Sequence, residues 1–228
     1  MHRSAFFRAV AVAVLICLPV GLRAADAADT NPEAAYTWAI TQRTDKILEA
    51  LALADTAQAA KAHAVIMAQW RALRDWHDTN DAPLKALAKQ ARSTDKAEAA
   101  AANEKVATIN ASLKSLHDGY LDRLSAELTP AQVETVKDEM TYNVVKVTVA
   151  TYNQFLPQLT DAQKAVIVST LKEAREEAMD QGTSKEKHAV FGRAKGRINN
   201  YLSKEGYDVG KASKEWEAKQ REKNAGQN

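Results

Sequence analysis

The residues most able to do chemistry are concentrated in one stretch of the chain. Glu173, Glu176, Glu177 and Asp180 recur at spacings that set them on part of one helical surface. Carboxylates grouped in this way suit acid–base chemistry or a hard cation, but Lys172, four residues before Glu176, equally suits an ordinary surface ion pair. Lys187, His188, Arg193, Lys195 and Arg197 follow, and then Asn199, Asn200 and Tyr201. Paired amides beside cations and an aromatic ring suit a ligand that is rich in hydroxyls or carries carboxylates. The plainer reading of the same charges is a solvated helix face. The candidate ligand-binding residues are Glu173, Glu177, Lys187, His188, Arg193, Asn199, Asn200 and Tyr201; no catalytic residue, metal ligand or cofactor is assigned.

Gly192 and Gly196 interrupt the same segment one turn apart. Two interior glycines cost a helix about 2 kcal/mol against alanine, so something should offset them. With Ala189, Asn199 and Ser203 they form a smooth stripe, opposite an apolar face of Phe191, Ala194, Ile198, Tyr201 and Leu202. Either another helix approaches that stripe closely or a ligand does. The short Asp180-Gln181-Gly182 turn predicts an antiparallel hairpin, in which the acids of 173–180 and residues 184–204 face one another and line the functional cleft.

Other constellations carry less. His63, Trp70 and His77 recur every seven residues, but the two histidines stand about 21 Å apart along a straight helix, too far to share a metal. Trp70 and Trp76 could stack on sugar rings, although a core position is the commoner fate of tryptophan. The chain has no phosphate-binding glycine loop, hydrolase nucleophile motif or zinc-binding histidine pair.

The beginning of the sequence reads as an export signal. Arg3 and Arg8 precede an apolar run from Ala9 to Leu22, and Ala25-Asp26-Ala27 offers a small-residue cleavage site, so a signal peptide over residues 1–27 is expected. Its removal takes three arginines and one aspartate, which brings the 31 basic and 29 acidic residues of the chain to 28 of each. A neutral domain has no global field for nucleic acid or anionic lipid. Cys17 is the one cysteine and leaves with the leader, so neither a disulfide nor a thiolate site follows. The remainder, 28–228, is long enough for one domain with its own core and contains no transmembrane segment.

Helix signals recur along that remainder. Asn31-Pro32-Glu33 opens the first helix, and Asp55 with Gln58 caps a second, whose stripe is Ala62, Ile66, Leu73 and Trp76 with Gln69 as a polar interruption. Asn80-Asp81-Ala82-Pro83 predicts a break, followed by a short helix to Arg92 and a long alanine-rich helix from Thr94. Thr129…Gln132, Thr160…Gln163 and Thr183…Glu186 each fit the capping box; Pro157 and Gly182 close the helices before the second and third. Val145-Lys146-Val147-Thr148-Val149 alternates like a strand. A lone strand would have no partner, so a helix is expected there, with Val133, Val136, Met140, Val144, Val147 and Thr151 on one face. The last ten or so residues should fray.

Two resemblances follow from these motifs. Leu128-Thr129-x-x-Gln132 and Leu159-Thr160-x-x-Gln163 resemble the LTxxQ signature of periplasmic stress chaperones of the Spy and CpxP type. The run from Leu128-Thr129-Pro130-Ala131-Gln132 through Glu173–Asp180 and Lys185-Glu186-Lys187-His188 to Ile198-Asn199-Asn200-Tyr201-Leu202 resembles a family of secreted bacterial proteins, a domain of unknown function labelled sugar-binding. That likeness covers most of the chain after the leader; it implies export and carbohydrate association, without a reaction or functional residues. The expected fold is all-α, a single bundle of about six or seven helices. The expected function is an exported, non-enzymatic carbohydrate-binding protein. The alternatives are a periplasmic chaperone or scaffold and a glycan-active enzyme using the 173–180 acids and His188.

Overall fold

The computed structural model describes residues 31–225, so the expected leader and its cleavage site lie outside the described residues. The described residues divide into two units, with the boundary between Thr37 and Trp38. Residues 31–37 of the first begin α1 (Pro32–Leu51), where Asn31 Oδ1 accepts from the Glu33 amide at 3.0 Å, as the Asn-Pro-Glu order predicts.

The second unit is all-α. Among the described residues there is no strand, and α1 is followed by α2 (Thr56–Gln90), α3 (Lys96–Glu127), α4 (Pro130–Met140), α5 (Val144–Phe155), α6 (Asp161–Met179), α7 (Ser184–Lys204) and α8 (Val209–Ala225). No helix among them is long and apolar enough to cross a membrane.

Two antiparallel hairpins organise the unit. In one, Gln58 Nε2 at the start of α2 donates to Glu127 O at the end of α3 (2.6 Å), and Trp76 Nε1 donates to Ser112 Oγ further along (2.9 Å). In the other, Lys187 meets Ala178, Arg197 meets Glu173 and Glu205 meets Gln163, so α7 runs back along α6 as the short turn predicts. α4 and α5 pack on α6, and α8 packs on α5 and α7. Leu171, Phe191, Ile198 and Leu202 are fully buried between these helices, which places the expected apolar face of α7 in the core. All three capping boxes form; Thr160, for example, accepts from the Gln163 amide at 3.3 Å while its own amide donates to Gln163 Oε1 at 3.0 Å.

Several boundaries differ from the sequence reading. α2 continues through Pro83 to Gln90, so neither the break at 80–83 nor a separate short helix exists. The residues that read as a turn serve the helix instead: Thr79 Oγ1 donates to Asp75 O and Asn80 Nδ2 to Trp76 O, each at 2.8 Å. Packing of α2 along α3 offsets the proline, which by propensity costs about 3 kcal/mol. The expected single helix after Thr129 is instead two, α4 and α5, joined by a corner at Tyr142 (φ 59°) and Asn143 (φ 55°). Left-handed backbone costs such residues roughly 1–2 kcal/mol each. The corner also resets the buried face of α5 to Val145, Thr148 and Tyr152, leaving Val147 60% exposed. Gly182 does not end α6 with a left-handed turn. Its role is close approach, because a Cβ there would lie 3.2 Å from the His77 ring. The C-terminal residues form α8 up to Ala225, so the described helices number eight.

Candidate functional site

The structure spreads the candidate residues over several places. Glu177 pairs with Arg193, and Glu173 lies 4.0 Å from Arg197; these exposed ion pairs bridge the α6/α7 hairpin on its outer face and do not form a closed cleft. Lys187 is 4% exposed, donates to Ala178 O (2.9 Å) and Met179 O (3.0 Å), and sits 5.5 Å from the centroid of the Trp70 ring. It caps the last carbonyls of α6, and burial pulls its pKa down to about 8. His188 stacks on Tyr142 at the strained corner, with centroids 5.7 Å apart, and forms no ion pair with the 173–180 acids. Asn200 is exposed, and Tyr201 packs half-buried against the core. A Cβ on Gly192 or Gly196 would meet nothing within 4 Å, so no helix closes over the two glycines.

Asn199 is different. It lies on the wall of a groove of about 710 Å³ between α5, α7 and α8. The α5 wall presents Val147, Tyr152 and Phe155 together with Thr148 and Thr151; the opposite walls present Lys195, Asn199 and Ser203 from α7 and Val209, Ser213, Lys214 and Glu217 from α8. The α7 residues recur every four positions, which puts them on one face of the helix. Tyr152 is 4% exposed, and its burial raises the phenol to about 12, so the hydroxyl stays protonated. That hydroxyl donates to Asn199 Oδ1 at 2.5 Å. With Oδ1 so engaged, both Nδ2 hydrogens of Asn199 remain without an intramolecular acceptor. The groove therefore has a partly aromatic wall of mixed apolar residues and threonines facing a wall of hydroxyls, an oriented amide and charge. That combination, in a cavity of this size, suits a small polar ligand with one apolar face.

A second cluster joins α3, α4 and α6. Arg175, 2% exposed, is held by Glu134 at 2.9 Å, Asp138 at 2.5 Å and Glu176 at 3.2 Å, and Lys137 Nζ reaches Glu176 at 2.8 Å. From α3, His117 Nδ1 sits 2.9 Å from Asp180, and its Nε2 sits 3.6 Å from Glu176. Hydrogen bonding to Asp180 and Glu176 raises His117 to about 9 against the opposing effect of burial. Burial alone would raise Glu176, but hydrogen bonds from His117 and Lys137 and the charges of Lys137 and Arg175 outweigh it and hold the carboxyl at about 2. His77 completes the junction, with Nε2 2.7 Å from Asp180 O and Nδ1 2.9 Å from Asp81. His117, Glu176, Glu177 and Asp180 line a shallow groove of about 380 Å³ whose carboxylates are all engaged by cations: Asp118 by Lys114, Glu177 by Arg193 and the others by His117 and its neighbours. Sequence reasoning missed His117, and its partners are about sixty positions away, so local spacing holds no signal for it.

A family model described as "Protein of unknown function (DUF3826)" matches residues 37–222, from within α1 to near the end of α8. No curated protein matches the chain.

Proposed function

The chain belongs to that family, whose description names no ligand, and we propose that it is an exported, non-enzymatic protein that binds carbohydrate in the groove between α5, α7 and α8. The observation that carries this reading is the Tyr152–Asn199 hydrogen bond, which orients an amide with unspent donors toward a ligand site opposite Phe155 and Val147. A sugar ring has the matching anatomy, with a C–H face for an apolar or aromatic wall and hydroxyls at its edge for amide and hydroxyl groups. The resemblance to secreted proteins labelled sugar-binding points the same way. The acid cluster is engaged in joining helices, with Glu176 of α6 shared by His117 of α3, Lys137 of α4 and Arg175.

Asn199→Asp tests the site. The replacement keeps an oxygen for the Tyr152 hydroxyl but removes both amide donors, so the fold should survive while glycan binding, screened on an array with the full chain, falls by about tenfold or more. Unchanged binding by this variant would exclude the groove. For export, sequencing the chain recovered outside the cytoplasm should find Ala28 as the first residue, and recovery of Met1 would refute a cleaved leader.

A further inference from the structure

We propose that this groove selects carbohydrates bearing an acidic group, with uronic acids as the class it fits; the inference rests on the carbohydrate reading of the groove. Two lysines on different helices, Lys195 of α7 and Lys214 of α8, line the same cavity. Both are exposed, and neither has a carboxylate within 4.0 Å. Their neighbours behave otherwise: Arg193 pairs with Glu177, Arg197 with Glu173, and Lys211 with Glu215. Lys195 and Lys214 thus leave two ammonium groups on the groove wall without an ion partner.

One carboxylate, Glu217, shares the lining, and it accepts from Ser213 Oγ at 3.3 Å. The polar wall thus carries two ammonium groups against one carboxylate. The start of α8 adds no further pull, because Asp208 already accepts the Lys211 amide at 2.9 Å. With near-neutral overall charge, long-range steering is weak, and selection must come from the two ammonium groups at close range. A uronic acid retains the apolar ring face that Phe155 and Val147 would meet and the hydroxyls that Asn199 would bind. It adds a carboxylate at the ring edge, where an ammonium can pair with it.

The test is a glycan array of matched pairs, each a uronic-acid oligosaccharide and its carboxyl-reduced neutral form, probed with the full chain and with Lys195→Gln/Lys214→Gln. The acidic member should bind about tenfold more tightly, near the upper end for two exposed ion pairs together. The advantage should shrink with added salt, and the double substitution should erase it. Equal binding of both members overturns the acidic preference while leaving the carbohydrate reading intact, provided Asn199→Asp weakens both. A preference that persists in the double variant also overturns the inference, because the charge is then read elsewhere. Binding of neither member in any pair overturns both readings.

Discussion

His117 on α3 stands 2.9 Å from Asp180 at the end of α6, and this contact ties the α2/α3 hairpin to the α6/α7 hairpin. Its folded-state pKa, about 9, lies above the ordinary 6.5 of histidine. The stability it contributes is therefore fully present below pH 6.5 and is lost as pH rises through 9. Solvent at the junction reduces the effect to roughly 2 kcal/mol. Lys187 shifts the other way, from 10.5 to about 8, and regains stability between those values, so the histidine effect is isolated by comparison with a variant. Chemical unfolding at pH 6 and pH 9.5 should show His117→Gln destabilised at the lower pH and nearly equal to wild type at the higher. A constant difference between the two proteins would contradict the assignment.

Arg175 is the buried cation shared by Glu134, Asp138 and Glu176. Arg175→Met leaves carboxylates of two helices facing one another without it and should cost about 3–5 kcal/mol in urea unfolding. Arg175→Lys should recover only part of that, because an ammonium cannot reproduce the forked contacts. A fully stable methionine variant would show that the network contributes little.

The glycines should separate by environment. Gly192→Ala and Gly196→Ala place a methyl in open space and should each stabilise α7 by about 0.5–1 kcal/mol. Gly182→Ala pushes a Cβ to 3.2 Å from the His77 ring and should destabilise by about 1 kcal/mol. In a His77→Ala background that cost should vanish. A double-mutant cycle without coupling would refute the contact.

Pro83→Ala restores an amide donor inside α2 and removes a ring from the helix interior. Thermal unfolding should show a gain of about 1–3 kcal/mol. A loss would mean that α2 needs the proline for its packing on α3.

Signals confined to a few neighbouring residues were legible in the sequence. The three capping boxes, the Asp55 cap, the helix over the β-branched 144–152 stretch and the apolar face of α7 are local, and the structure forms each of them. Propensity and periodicity suffice there because a helix satisfies its backbone within its own turn.

Tertiary structure decided the rest. Pro83 reads as a stop, yet α3 packed alongside holds α2 together through it. Tyr142 and Asn143 read as mid-helix, yet they adopt left-handed backbone, with Tyr142 stacked on His188 from α7 and Asn143 Nδ2 donating to Glu139 Oε1 at 2.7 Å. The candidate set was divided for the same reason. Residues 184–204 share one helix and look like one site, but burial turns Lys187 inward to cap α6, the exposed face pairs Arg193 and Arg197 with acids, and Asn199 lines the groove beside α5 and α8. By itself the sequence determined that the chain folds as helices and where most of them begin, because those energies are local. Which polar groups are spent on the fold and which remain for a ligand depends on partners such as Tyr152, forty-seven positions from Asn199, that only the packed chain brings within hydrogen-bonding distance.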